Sequence, residues 1–267
     1  MFQLTATNPT FLMYATIFIF GLSIGSFLNV CIFRIPLEKS IIHPPSACPG
    51  CGNSIRFYDN IPVLSYILLR GRCRHCAAAI SPRYPSVEMA SGLTAAATYA
   101  AFGPTAQSLV YFAFLSALWV VTLIDIDHRI IPDVISLPGI PVFFLASLLL
   151  PTMTVKDSLL GILIGGGSLY AVAWAYSAVK KADGMGGGDI KLLAMIGALI
   201  GWKGVLFTLF ASSALGTLVG LGIMILRGQN MKLAVPFGPF LSAGAAAYVF
   251  FGPRLIDWYL NFLPPGA

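Results

Sequence analysis

Charged residues are scarce in this sequence. Lys, Arg, Asp and Glu make up 10% of its 267 residues, whereas hydrophobic residues make up 57%. Soluble domains carry about 25% charged residues, so this scarcity indicates an integral membrane protein. Nucleotide-binding motifs are also missing, because no Gly-x-Gly-x-x-Gly follows a strand pattern and no Gly-Lys-Ser/Thr follows the glycine run that ends at residue 188.

Long apolar runs fill most of the chain. A helix needs about 17 to 25 apolar residues to cross a bilayer, and the sequence suggests eight such spans, the sixth of them short: 11–33, 86–103, 106–124, 134–150, 158–179, 188–201, 204–226 and 235–251. We therefore predict an all-α polytopic membrane protein with about eight transmembrane helices. Its expected regions are a first helix (1–33), a polar loop (34–85) and a transmembrane domain (86–267).

The basic residues predict which way the chain crosses the membrane. Positively charged residues favour the cytoplasmic side. If the N-terminus lies outside the cell, 13 of the 16 Lys and Arg residues fall in cytoplasmic segments. These are Arg34, Lys39, Arg56, Arg70, Arg72, Arg74, Arg83, Arg129, Lys180, Lys181, Lys191, Arg227 and Lys232. Topology and contact with anionic membrane lipids explain the net charge of +6, so no nucleic-acid partner is expected.

Four of the five cysteines lie in the polar loop. Cys48-Pro49-Gly50-Cys51 and Cys73-Arg74-His75-Cys76 form a C-x2-C-x21-C-x2-C pattern. This spacing is typical of a four-thiolate tetrahedral zinc site, with a redox pair or free thiols as the alternatives. A site closed by four thiolates has no open coordination position, so we expect it to stabilise the loop rather than to catalyse.

One aspartate ends the third apolar run, in Leu123-Ile124-Asp125-Ile126-Asp127-His128. Carboxylates are costly at a bilayer and therefore indicate function. Asp125 and Asp127 are about 200° apart around a helix axis, so only one can face the interior. We expect Asp125 to face inward because it directly follows the apolar run, and Asp127 to lie at the surface. Asp133, which comes after a proline, is expected to cap the next helix.

A second aspartate ends the run Gly184-Met185-Gly186-Gly187-Gly188-Asp189. Glycine permits a close approach of the backbone just ahead of the next helix. The predicted topology places Asp189 at the same cytoplasmic face as Asp125. Two carboxylates that share a site can activate water against a peptide bond. The helix dipoles suggest Asp125 as the neutral acid and Asp189 as the ionised base of a coupled pair.

Further segments carry motifs of their own: Gly25-Ser26-Phe27-Leu28-Asn29-Val30 with Arg34-Ile35-Pro36, Phe57-Tyr58-Asp59-Asn60-Ile61-Pro62-Val63-Leu64-Ser65-Tyr66, Ser81-Pro82-Arg83-Tyr84-Pro85-Ser86-Val87-Glu88, and Val235-Pro236-Phe237-Gly238-Pro239-Phe240. Together with the four cysteines and both aspartate motifs, they resemble the type IV prepilin peptidase/N-methyltransferase family. The resemblance covers nearly the whole chain and shows no departure from the catalytic pattern.

The resemblance implies a bifunctional enzyme of the bacterial inner membrane, with its N-terminus in the periplasm. Such an enzyme removes the leader of type IV prepilins and type II secretion pseudopilins at the cytoplasmic face. It then methylates the new N-terminal residue, usually Phe, with S-adenosylmethionine as donor. The matching motifs imply that Asp125 and Asp189 are the catalytic residues and that Cys48, Cys51, Cys73 and Cys76 bind zinc. No residue is assigned to the methyl donor.

Three other functions remain to be weighed. A metal or proton transporter also uses carboxylates in the membrane, although transport sites usually lie near the bilayer midplane. An inactive zinc-dependent assembly scaffold would need its cysteines but not its aspartates. A peptidase without methylation would resemble shorter relatives that lack the cysteine loop, and the presence of that loop here argues against it.

Overall fold

The structure is a computed structural model that describes residues 9–180, 186–227 and 236–262. Residues 182–185 of the glycine motif, and Lys181, Lys232 and Val235, lie outside the described residues. Within these ranges the chain forms helices, two short 3₁₀ turns and two isolated β-bridges, and no strand. The all-helical class agrees with the prediction.

The helices are α1 (Pro9–Arg34), α2 (Leu64–Leu68), α3 (Arg83–Phe102), α4 (Ala106–His128), α5 (Asp133–Ser147), α6 (Val155–Lys180), α7 (Gly187–Arg227) and α8 (Gly238–Phe262). Helix α7 contains a kink at Gly201, whose φ of 70° and ψ of −179° are not helical. This kink lies where the sixth and seventh predicted spans are separated, so each predicted span overlaps a helical segment of the described residues.

Four helical stretches of the described chain are long and apolar enough to cross a membrane: Thr10–Leu37, Ala106–His128, Val155–Lys180 and Gly187–Leu226. Helix α5 is a shorter apolar helix. Several membrane-length helices in one chain support the polytopic architecture.

The chain divides into two compact units, Met1–Ser116 and Ala117–Ala267, with the boundary inside α4. In the first unit, α1 packs antiparallel against α3 through small residues. A Cβ added at Gly21 would lie 2.7 Å from the Ala95 Cβ, and the Ser91 hydroxyl donates a buried hydrogen bond of 2.7 Å to the Gly21 carbonyl. Small residues are typical of helix pairs in membranes because they let backbones approach closely.

In the second unit, α7 packs against α5, α6 and α8. The contact with α6 is again made by small residues, because a Cβ added at Gly161 would lie 2.2 Å from the Gly197 carbonyl oxygen. The Ser158 hydroxyl donates a buried hydrogen bond of 2.6 Å to the Ala198 carbonyl. Since α7 carries Asp189 in its first turn, this packing fixes one of the predicted site residues.

We predict that Gly161→Ala destabilises the protein whereas Gly167→Ala does not. The first substitution places a methyl group against backbone that cannot move freely, and such overpacking costs about 1–3 kcal/mol. Gly167 lies on the same helix with nothing within 4 Å of an added Cβ, and alanine gains about 1 kcal/mol in helix propensity there. Melting midpoints of both variants in the same detergent measure the difference. Equal midpoints would contradict the close α6–α7 contact.

Candidate active site and metal centre

Asp125 lies in the last turn of α4 and is buried, with 5% of its surface exposed. Its Oδ2 accepts a hydrogen bond of 3.0 Å from the backbone N–H of Gly238, the first residue of α8. The burial agrees with the expectation that Asp125 rather than Asp127 faces inward, because Asp127 is exposed. A buried carboxylate requires such a donor, since an unpartnered one is strongly disfavoured.

Asp189 lies in the first turn of α7 and is half-buried. Its carboxylate is close enough to that of Asp125 for the two to repel each other electrostatically. The structure thus brings together two side chains that are far apart in the sequence, as the shared-site hypothesis requires.

Ile131 connects the two aspartate segments. A Cβ added at Gly188, next to Asp189, would lie 2.8 Å from the Ile131 Cβ. A Cβ added at Gly238 would lie 3.3 Å from the Ile131 Cδ1 and only 2.6 Å from Asp125 Oδ2. No side chain larger than hydrogen fits at either glycine unless its neighbours move. The two glycines therefore set how closely the segments approach.

The helix dipoles do not separate the two carboxylates in the way the sequence suggests. Asp125 lies near the C-terminus of its own helix, but the N-terminus of α8 also faces it. Asp189 lies at the N-terminus of α7. Both carboxylates therefore lie at a helix N-terminus, and the dipoles do not distinguish one from the other.

Asp133 does not cap α5 in the expected way. It is the first residue of that helix, Pro132 occupies the capping position, and no side-chain capping bond forms. Instead, both Asp133 oxygens lie 2.8 Å from the Lys191 Nζ. This partly exposed ion pair joins α5 to the first turns of α7, two residues beyond Asp189.

The four predicted cysteine ligands lie together in the first unit. Each pair is in a tight turn: Cys48 N–H donates to Asn53 O and Gly52 N–H to Cys48 O, and the second turn repeats the pattern between Cys73 and Ala78. Gly52 and Ala77 hold equivalent positions after the second cysteine, with φ of 71° and 57°. The repeated turn aims two sulfurs of each pair at one point.

The sulfur positions fit a tetrahedral metal ion. All four Sγ atoms lie within 4.8 Å of one another, and those of Cys48 and Cys76 are 3.7 Å apart. Metal–sulfur bonds of about 2.3 Å in a tetrahedral site place sulfurs about 3.8 Å apart. No other cluster of potential metal ligands occurs among the described residues. The cluster can hold a metal ion.

The thiol ionisation also fits a metal site. Backbone N–H groups of Cys76 and His75 donate to Cys73 and lower its pKa to about 6. The Ala78 N–H acts in the same direction on Cys76, but burial and the neighbouring thiols outweigh it and raise the pKa of Cys76 to about 11. Four adjacent thiolates repel one another, and a bound cation removes that repulsion.

Two acidic residues in or near this loop form hydrogen bonds with other parts of the first unit. Two nitrogens of Arg74 donate hydrogen bonds to the Asp59 carboxylate, the shortest contact being 2.6 Å. This hydrogen bonding lowers the pKa of Asp59. Glu88 Oε2 accepts a hydrogen bond of 2.7 Å from the Val63 N–H. Both carboxylates thus take part in contacts that organise the loop.

Sequence reasoning did not give a role to Gly238 or Ile131. Gly238 was part of a recognised motif, and its position before a proline at a helix start was the only local signal. Nothing in the sequence pairs it with Asp125, because the two are 113 positions apart. Ile131 looked like an ordinary apolar residue.

Comparison with known proteins identifies two family domains. The Bacterial Peptidase A24 N-terminal domain matches residues 19–102, and the Type IV leader peptidase family matches residues 112–221. No solved structure matches the chain.

Curated relatives match over almost the full length and share the name prepilin leader peptidase/N-methyltransferase. The protein from Burkholderia pseudomallei (strain 1026b) is 36% identical, covering 92% of this chain and 88% of its own. Those from Aeromonas hydrophila and Pseudomonas aeruginosa are each 35% identical, covering 94% and 96% of this chain and 96% of their own. The chain therefore belongs to the type IV leader peptidase family.

Proposed function

We propose that this protein is a membrane aspartyl endopeptidase that removes the leader from type IV prepilins and type II secretion pseudopilins. It then methylates the exposed N-terminal residue, usually Phe, with S-adenosylmethionine as the methyl-donating substrate. The relatives' names support both activities. The observation that carries the peptidase is the approach of two carboxylates, from Asp125 and Asp189, at the ends of membrane-length helices.

In this proposal the carboxyl groups of Asp125 and Asp189 share one proton and hold a water molecule between them. The ionised carboxylate takes a proton from the water as the water oxygen attacks the scissile carbonyl carbon. The neutral carboxyl group donates its proton to the carbonyl oxygen, and a proton then passes to the leaving amine as the C–N bond breaks. The Gly238 N–H keeps Asp125 in place during these steps.

The pair is treated as one titrating unit because its members repel each other. Assigning Asp125 as the acid and Asp189 as the base stays a hypothesis. The residual cleavage of Asp125→Asn and of Asp189→Asn, measured against pH, addresses it, since distinct roles require one variant to lose the acidic and the other the basic side of the pH profile. Matching profiles would count against separate roles.

We further propose eight membrane crossings with the N-terminus in the periplasm of a bacterial inner membrane and the dyad at the cytoplasmic face. The asymmetry of Lys and Arg supports this orientation. The regions 1–33, 34–85 and 86–267 then act as first helix, metal-binding loop and peptidase. Reporter fusions in 34–82 and at 151–154 distinguish the two orientations, because the proposal places these segments on opposite sides.

A dyad at this depth suits a prepilin substrate. A pilin precursor combines a polar leader with an apolar helix in the bilayer, so the bond between them lies at the interface. Asp125 is the fourth residue from the end of α4 and Asp189 the third residue of α7, which places both near an end of their candidate spans. Transport sites usually lie near the bilayer midplane instead.

We also propose zinc as the ion held by Cys48, Cys51, Cys73 and Cys76. Four thiolates close the coordination sphere, so the ion supplies folding stability to the loop and takes no part in peptide hydrolysis. No residue is assigned to the methyl donor.

Removal of either catalytic carboxylate should abolish cleavage. We expect Asp125→Asn and Asp189→Asn each to lower kcat by about 10⁴-fold or more, and the double variant to be no worse, because the residues act as a unit. Asp127→Asn, which changes an exposed neighbour, is the matched control and should retain activity. Mass spectrometry of a purified prepilin reports leader loss and added methyl separately. Full cleavage by either single variant would refute the dyad. If the parent protein cut no peptide but carried an ion flux that both substitutions abolished, the result would support a transporter.

Gly238→Ala should impair cleavage without unfolding the protein. An alanine Cβ would meet Asp125 Oδ2, and a displacement of about 1 Å in a catalytic group can cost 10²-fold in rate. The control is Gly216→Ala, where the nearest atom would be an ordinary 3.6 Å away. Steady-state cleavage and melting midpoints are measured together. Unchanged kcat in Gly238→Ala would show that the close contact does not position Asp125.

Purified protein should contain about one zinc ion per chain. Cys48→Ser combined with Cys76→Ser should lose the metal and make the 34–82 loop sensitive to protease, whereas Cys31→Ser should change neither, because Cys31 is buried within α1. Elemental analysis and limited proteolysis provide the two measurements. A protease-resistant loop without metal would contradict the structural role. Full function in the aspartate variants, together with loss of function in the cysteine variants, would support the scaffold hypothesis.

A further inference from the structure

The short helix α2 presents its apolar residues outward. Leu64, Ile67 and Leu68 lie at positions i, i+3 and i+4, which form one face of a helix, and they are 49%, 63% and 71% exposed. Ser65, which follows Leu64, is instead turned inward: it is 7% exposed and its hydroxyl donates to Tyr58 O. Soluble loops bury such a face, so this orientation requires an apolar partner outside the first unit.

The turn before α2 extends this apolar surface. Phe57 is 87% exposed and belongs to the 3₁₀ turn Phe57–Asn60. Arg74 holds that turn against the second cysteine pair through Asp59, and its guanidinium lies 5.5 Å from the centre of the Tyr58 ring. Phe57 is therefore exposed on a segment that is fixed in place. We call Phe57, Leu64, Ile67 and Leu68 the apolar face of the loop.

The position of α2 relative to the helix pair indicates its partner. Val63, which precedes α2, has an unfavourable φ of 60° for a β-branched residue. Its N–H is held by Glu88, a buried residue in the second turn of α3. Helical side chains lean towards the N-terminus, so Glu88 meets Val63 close to the start of α3.

The start of α3 is level with the last turns of α1. Asn29 Nδ2 donates to Tyr84 O, and a Cβ added at Gly25 would touch the backbone of Glu88. Both α1 residues lie inside the membrane-length stretch Thr10–Leu37. Helix α2 is thus held beside the C-terminal turns of α1. If α1 crosses the bilayer, this level corresponds to the region where headgroups meet acyl chains.

Charge complements the apolar face. Arg56 precedes Phe57, and Arg70 and Arg72 follow Leu68, all three exposed. Apolar residues bordered by arginines are typical of segments that lie in the interface of an anionic bilayer. We propose that the apolar face of the loop inserts into the membrane leaflet on its side, with acyl chains around Phe57, Leu64, Ile67 and Leu68 and anionic headgroups at the arginines. The proposal rests on the membrane placement of α1 and not on peptidase activity.

The lipid contact holds the metal-binding loop down against the membrane. The apolar face and the second cysteine pair share the segment 57–76 and are joined by the Arg74–Asp59 ion pair. Insertion at one end therefore limits the motion of the metal turns at the other.

Tryptophan fluorescence in reconstituted full-length protein tests this proposal. Ile67→Trp and Phe57→Trp each replace an exposed residue, and Asn53→Trp, at an exposed polar position of the first cysteine turn, is the matched control. Each protein is placed in bilayers containing phosphatidylglycerol, with and without lipids brominated near the glycerol end of the acyl chains. The fluorescence of the parent protein is subtracted from that of each variant, so its four native tryptophans need not be replaced.

We expect the tryptophans at positions 67 and 57 to lose most of their emission to brominated lipid and to resist aqueous iodide. The tryptophan at position 53 should show the reverse. Replacing Arg56, Arg70 and Arg72 by Gln in the Ile67→Trp protein should reduce the bromine quenching and remove its dependence on phosphatidylglycerol. Metal content verifies that the loop is folded in each variant.

Two outcomes would overturn the proposal. Equal iodide quenching at positions 67 and 53, without bromine quenching, would place the apolar face in water. Iodide quenching at position 67 that disappears when a prepilin is added would identify the substrate as the partner instead. Both results are independent of cleavage, so a failure here leaves the aspartate dyad untouched.

Discussion

The hydrogen bond between the Gly238 N–H and Asp125 Oδ2 is the contact on which the proposed active site depends. It gives a buried carboxylate a donor in apolar surroundings, where leaving it without one would cost several kcal/mol. It also joins the start of α8 to the end of α4. The contact exists only because residue 238 has no side chain, since a Cβ there would lie 2.6 Å from the carboxylate oxygen. Placement of Asp125, and through it the approach to Asp189, therefore depends on the absence of one methyl group.

The same physical rule builds the rest of the helical packing. Lipid is as apolar as leucine, so burying apolar surface between helices provides little driving force in a membrane, and close backbone contact and buried hydrogen bonds provide more. Gly21 and Ser91 satisfy this rule between α1 and α3, and Gly161 and Ser158 do so between α6 and α7. The proposed active site uses the same close approach at Gly188, which faces Ile131, and at Gly238, which faces the Asp125 carboxylate.

This rule explains which features could be predicted from the sequence. Apolar runs show where helices lie, and even the break at Gly201 separates two of them. The unbroken run before Asp125 correctly indicates its inward orientation, and the cysteine spacing predicts the four-sulfur cluster. Contacts between remote segments leave no such local pattern. The capping role expected for Asp133 was wrong because Lys191, 58 positions away, binds it instead. The neutral-acid role suggested for Asp125 overlooked a helix N-terminus that is contributed by α8.

The chemistry of the two proposed activities fixes their order. A methyl group can be transferred to nitrogen only when a free amine lone pair attacks it, and the substrate amine does not exist until the dyad has cut the peptide bond before it. An N-terminal amine has a pKa of about 8, far below that of most lysines, so a useful fraction is neutral at physiological pH once it is released. The ammonium form loses one proton before the neutral amine attacks, and forming the N–C bond breaks the donor's S–C bond, so methyl transfer does not require a pair of carboxylates. Hydrolysis therefore places the greater demand on the fold, because it needs two carboxylates close together, and in the proposed site the close contacts of Gly188 and Gly238 bring the segments of Asp189 and Asp125 near each other.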